Sequence, residues 1–157
     1  MEGHTPIIKF NYRHDRVSAI AALTTSAVRR HVGLYAGFRG KNFDAPAAAG
    51  FIGALLRHLA GEVILLWDQA PIHKGPFIKE VERRFLRLHV EYFPGYTPDL
   101  NPVENVWHDF KSHDANSILV DRRHIRSRLH ANVRRARRLQ AKLRSFILAS
   151  DLPSPLA

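Results

Sequence analysis

The chain reads as a mixed α/β domain, and three observations predict it. Strand-like apolar runs alternate with amphipathic helical stretches along most of the sequence. One run, Val63 to Trp67, is continuously apolar, as suits a central strand covered on both faces. Helix-start signals stand ahead of the helical stretches, most clearly at Asp44 and at Asn101-Pro102-Val103-Glu104.

The elements follow in order. His14 to Thr24 (HDRVSAIAALT) is rich in small and β-branched residues and predicts a strand. Val32 to Phe38 predicts another, ended by the turn Arg39-Gly40-Lys41-Asn42. Asp44 to Leu59 has a capping residue, an early proline and an apolar stripe of Phe51, Leu55, Leu56 and Leu59, which predicts a helix. Gly61 stops it before the Val63 to Trp67 strand. Pro76 to Leu86 predicts a second amphipathic helix and Leu88 to Phe93 a short strand. A turn-rich loop, Pro94 to Pro102, leads into the helix that Asn101 caps. From Arg122 onward the sequence predicts one or two arginine-rich helices with an apolar stripe of Val133, Leu139, Leu143 and Phe146.

Composition excludes several classes. The 157 residues fit one domain able to bury a core without staples. No cysteine is present, so disulfides, thiolate metal sites and cysteine nucleophiles are excluded. The longest apolar runs fall far short of the roughly 20 residues of a membrane helix, and MEGHTPIIKF lacks the order of a signal peptide. The formal charge of +10 points to polyanionic partners, foremost nucleic acid. Nine arginines, one lysine and a single acid occupy Asp121 to Arg144. Arg122, Arg123, Arg126, Arg134, Arg135, Arg137 and Arg138 are the candidate phosphate contacts; a solvated basic helix face is the alternative.

Two carboxylates stand out. Asp68 ends the VILLW run, at the strand end where open α/β sheets bind ligands. Glu104 lies 35 intervening residues later, in the first turn of a proline-started helix. Two acids delivered to one point suit hard cations such as Mg²⁺ or Mn²⁺ in a two-metal phosphodiester site. Each acid has a plainer alternative: Asp68 caps the following turn, and Glu104 completes a capping box. His73 is read as orienting a ligand, a phosphate or a backbone carbonyl, and Lys74 as a phosphate contact or a solvated cation. Trp107, His108 and Lys111 share a helical face with Glu104. Asn101 caps that helix or touches the metal's water shell.

The strings WDQAPIHK and FPGYTPDLNPVENVWHDFK resemble the core of the mariner-like transposase superfamily, in particular its bacterial insertion-sequence branch. The likeness from Pro94 to Trp107 is nearly letter for letter, Asp68 to His73 is less specific, and Gly3 to Asn42 matches weakly. Gln69 stands where asparagine is commoner. The resemblance implies a ribonuclease-H-like mixed sheet flanked by helices and a DDE-type centre, with Asp68 as second acid and Glu104 as third. It also implies metal-activated cleavage of DNA at element ends, then joining of the freed 3′-hydroxyl to target DNA.

The family's first acid sits on a strand upstream of the segment that here reads GHTPIIKF, and Asp15 is out of register with that role. The expectation is a catalytic part over residues 1–115 without its first strand and first acid, plus a basic helical extension over 116–157. Such a chain would be inactive alone. A downstream reading frame, a truncated copy and a misplaced start codon are the open explanations; the first would add an upstream-frame polypeptide carrying the first Asp and the DNA-reading domain to the implied partners, DNA itself and further copies of the chain. The implied location is the bacterial cytoplasm, at the nucleoid, with no membrane association. Two other readings remain: a non-catalytic DNA-binding remnant acting through its arginine-rich tail, and a metal-dependent nuclease unrelated to transposition, which the Pro94–Trp107 likeness disfavours.

Overall fold

The structure, a computed structural model, describes residues 16–26, 28, 31–95, 97–115 and 121–152. Asp15 and the GHTPIIKF segment lie outside them. Two strands, β1 (Ser18–Thr25) and β2 (Val32–Arg39), pair antiparallel with Leu23 opposite Leu34 and Ala22 opposite Tyr35. Alternation along β2 separates two faces. Val32, Leu34 and Phe38 turn toward one core, and Tyr35 toward the other.

Helix α1 (Ala45–His58) begins at Asp44, whose side chain accepts from the Ala47 backbone N–H at 3.1 Å. This satisfies one of the donors that a helix start leaves unpaired. Its C-terminal end is held by Arg87, whose guanidinium donates to the carbonyls of Leu56, Leu59 and Gly61. Strand β3 (Val63–Trp67), helix α2 (Pro76–Arg84) and strand β4 (Leu88–Tyr92) then form a parallel βαβ unit with Leu65 opposite Val90. A crossover helix is what parallel pairing of consecutive strands requires. Gly75, at φ 94°, makes the turn into α2 in a region that costs residues with a Cβ.

The structure departs from the sequence reading at β3. Val63, Leu65 and Trp67 pack against α1, α2 and β4. Ile64, however, is 70% exposed and Leu66 44%. The described residues leave that second face open, and no described strand links the β1–β2 and β3–β4 sheets.

Helix α3 (Pro102–Asp114) and the tail helices α4 (Arg122–Arg137) and α5 (Gln140–Leu148) lie against the other face of the hairpin. Val106, Phe110, Val133, Ala136, Leu143, Phe146 and Ile147 bury there with Val32, Leu34 and Phe38. The tail is thus two helices that share a core with β2. Leu139 drops out of the expected stripe, at 44% exposure, because it occupies the break between them.

Polar struts tie these layers. Gln140 accepts from the Val32 N–H at 3.1 Å and donates to the Val32 carbonyl at 3.0 Å, as a neighbouring strand would. Asp109 pairs with Arg135 at 2.7 Å and with Lys142. Asp114 accepts from Arg128 at 2.7 Å and from Asn132 at 2.6 Å. Among the described residues no helix is long and apolar enough to cross a membrane.

Candidate active site

Asp68 follows the last residue of β3 and is 57% exposed. Its Oδ1 accepts from the Ala70 N–H at 2.9 Å, so the turn-capping role is real. The same oxygen lies 2.7 Å from Nδ1 of His73. The carboxylate accepts, so Nδ1 is the donor. The His73 ring is stacked on Trp67, with centroids 4.1 Å apart and planes 7° from parallel. Oδ2 of Asp68 has no protein partner among the described residues. Asp68 is therefore held by one oxygen and offers the other.

The loop beyond Asp68 is fastened to the end of β4. Gln69 donates to the Phe93 carbonyl at 3.0 Å and accepts from Lys74 at 3.2 Å. Tyr92 Oη donates to the His73 carbonyl at 3.0 Å. Lys74 also lies 5.6 Å from the centroid of the Tyr92 ring. Sequence reasoning missed Tyr92 and read Gln69 only as a departure. The longer glutamine side chain, two residues past β3, was the available signal for a bond reaching across to the end of β4.

Glu104 presents a different situation. Asn101 Oδ1 accepts from the Val103 N–H at 3.1 Å, which makes Asn101 the N-cap of α3. The reciprocal bond of a capping box is not made: the Asn101 N–H donates to the Pro98 carbonyl at 2.9 Å instead. The Glu104 carboxylate is exposed and has no partner among the described residues. It lines an open cleft of about 210 Å³ with Pro98, Asp99, Asn101, Asn105 and Ala149. Asp99 was not anticipated. Its signal was its place two residues before the cap, in the 3₁₀ turn Pro98–Leu100.

His108 and Lys111 are exposed one and two turns after Glu104, on its face of α3. Trp107 turns into the core, edge-on to Phe110 at 5.8 Å. No hydrogen bond or ion pair joins Asp68 to Glu104. Among the described residues no three His, Cys, Asp or Glu side chains gather around one point. The donors that are present, an open Asp68 oxygen and an open Glu104 carboxylate, have the hard-oxygen chemistry of a Mg²⁺ or Mn²⁺ site. Such ions commonly take one or two carboxylates, with water and phosphate completing the shell.

The arginines divide. Arg128 and Arg135 are engaged with Asp114 and Asp109, and Arg137 donates to the Leu34 carbonyl at 2.7 Å. Arg123, Arg126, Arg134 and Arg138 are exposed. Arg122 is exposed at the start of α4, beyond its N-cap Asp121.

Comparison with known proteins gives this arrangement its context. The family model described as DDE superfamily endonuclease matches residues 1–126. The crystal structure of the catalytic domain of Mos1 mariner transposase is similar, with a TM-score of 0.54 and 16% identity, over 88% of this chain and 84% of that one. The Mos1 catalytic domain determined with raltegravir and Mn is similar at a TM-score of 0.52 and 17% identity, over 90% and 86%. At such identities the likeness speaks for the fold, which is ribonuclease-H-like mixed α/β. No curated protein matches the chain. The family match spans most of the sequence, and the chain belongs to the DDE superfamily endonucleases.

Proposed function

We propose that the chain is the catalytic-domain part of an insertion-sequence transposase of mariner-like type, acting on DNA at the bacterial nucleoid. The observation that carries this reading is the state of the two acids. Asp68 stands at the carboxyl end of β3 with one oxygen uncommitted, and Glu104 stands at the start of α3 free of the capping role. Its membership in the DDE superfamily endonucleases supports the same chemistry, as does the manganese in the similar Mos1 structure.

Asp68 and Glu104 would hold divalent ions, Mg²⁺ or Mn²⁺. A bound pair would supply Lewis acidity for the attacking and leaving oxygens of a phosphodiester. The chain's own residues do the positioning. His73, locked on Trp67, fixes the rotamer of Asp68, so that its open oxygen keeps one direction. Asn101 fixes the first turn of α3 and with it Glu104. Lys74, His108 and Lys111 offer donors to phosphate oxygens, and the tail arginines hold the DNA backbone.

The test is thermal unfolding with added Mn²⁺. Binding to the folded state stabilises it by about 2.7 kcal/mol at a hundred times Kd. The parent chain is expected to gain stability, and Asp68→Asn and Glu104→Gln to lose that gain. No shift in the parent would sink the metal site. The second reading is a non-catalytic DNA-binding remnant. It is favoured by the lack, among the described residues, of any three-ligand group, and it predicts DNA binding indifferent to metal.

A further inference from the structure

The arginines of α4 fall into two sets that the sequence does not separate. Arg128 reaches Asp114 at 2.7 Å and Arg135 reaches Asp109 at 2.7 Å, both toward α3. Arg137 bends onto β2, donating to the Leu34 carbonyl and lying 5.9 Å from the centroid of the Tyr35 ring. The second set is Arg123, Arg126, Arg134 and Arg138. All four are exposed, and none has a hydrogen bond or ion pair within the described residues. At about 100° per residue they fall within a stripe roughly 120° wide; Arg137 starts from the same stripe but is drawn off it by its bond to the Leu34 carbonyl.

Arg123 with Arg126, and Arg134 with Arg138, stand about 5–6 Å apart, and about 12 Å of helix separates the two pairs, which suits two short phosphate contacts along one nucleic-acid backbone. No acid lies on α4 to neutralise the stripe. Asp121 caps the helix by accepting from the His124 N–H, and Asp109 and Asp114 are spent on the inward set. At its far end Arg134 and Arg138 flank an open cleft of about 310 Å³, whose walls also include Ala131, Leu139 and the Asp109-bound Arg135.

We infer that this outward face of α4 is a backbone-tracking surface for duplex DNA, with Arg123, Arg126, Arg134 and Arg138 as its phosphate contacts. Arg128, Arg135 and Arg137 are struts of the fold. The inference rests on the proposed DNA substrate and narrows it to one face. It predicts binding that ignores sequence and weakens steeply with salt, because neutralised phosphates release counterions.

The test is fluorescence anisotropy of the full chain with a labelled duplex, at several KCl concentrations. Each lost phosphate contact lowers the slope of log K against log[salt] by about 0.9. Replacing the four outward arginines by glutamine should therefore reduce the slope by about 3–4, with the unfolding temperature unchanged. The double variant Arg134→Gln with Arg138→Gln should lose about half of that. Arg135→Gln should do the opposite, lowering the unfolding temperature and leaving the slope as it was. If both outward variants keep the parent's slope, the surface is elsewhere while the DNA reading stands. If the parent binds no duplex at all, the DNA reading fails, and this inference with it.

Discussion

Asp109 is the node at which α3, α4 and α5 meet, and Asp109→Asn is predicted to weaken the whole layer. Its carboxylate is only 13% exposed and accepts from Arg135 at 2.7 Å and from Lys142. Hydrogen bonds to charged groups contribute about 1.5–3 kcal/mol each. Asparagine keeps one acceptor oxygen, and water relieves Arg135 and Lys142, which are 28% and 35% exposed. The net loss is then about 2 kcal/mol, below the roughly 3–5 kcal/mol for breaking a fully buried pair because water reaches both cations.

For a chain of this size that lowers the unfolding temperature by about 4–8 °C. The pH dependence sharpens the prediction. Burial alone would raise the Asp109 pKa, but the hydrogen bonds from Lys142 and Arg135 outweigh it and hold the carboxyl below its ordinary value. A carboxyl depressed in the folded state contributes stability above its unfolded pKa, about 3.9, and loses it as pH falls through the folded value. The gap between parent and variant should be full at pH 7 and should shrink below about pH 4. Calorimetry over that range is the assay. Equal unfolding temperatures at pH 7, or a gap unchanged in acid, would refute the reasoning.

Three further outcomes follow from packing. Leu143→Ala, at a fully buried position of the hairpin–helix core, should cost about 2–5 kcal/mol by urea unfolding. Arg87→Met keeps the aliphatic stem but releases three carbonyls at the end of α1; the expected cost is about 1–3 kcal/mol, with amide exchange accelerating first in the last turn of α1. Ile64→Thr with Leu66→Thr, on the open face of β3, should leave stability within about 1 kcal/mol. It should also reduce self-association in sedimentation, since exposed apolar surface favours aggregation.

Much of the fold was legible because it is local. Asp44 and Asn101 announced their helices by capping chemistry that depends on a few neighbouring residues. The two strands of the hairpin and the βαβ unit followed from period and turn residues. What stayed hidden depends on contacts between distant residues. Arg87 looked like any surface cation until its three carbonyl acceptors, from Leu56 to Gly61, were in place. The arginines of α4 could not be sorted without knowing that Asp109 and Asp114 face them from α3. Trp107 shares a helical neighbourhood with Glu104, yet the core beneath α3 claims its ring. The exposure of Ile64 and Leu66 was hidden for a similar reason: an apolar run announces burial, but not which of its side chains receive it. At the site, only the geometry showed that Glu104 makes no capping bond while Asp68 caps its turn with a single oxygen.

The central claim is that Asp68 and Glu104 hold metal together. A crystal of the chain soaked in Mn²⁺ and measured at the manganese absorption edge tests it most directly. An anomalous peak is expected within about 2.0–2.3 Å of both the Asp68 and Glu104 carboxylates, a span suited to hard-cation–oxygen bonds. A peak bound to one acid without the other, or no peak near either, would contradict it.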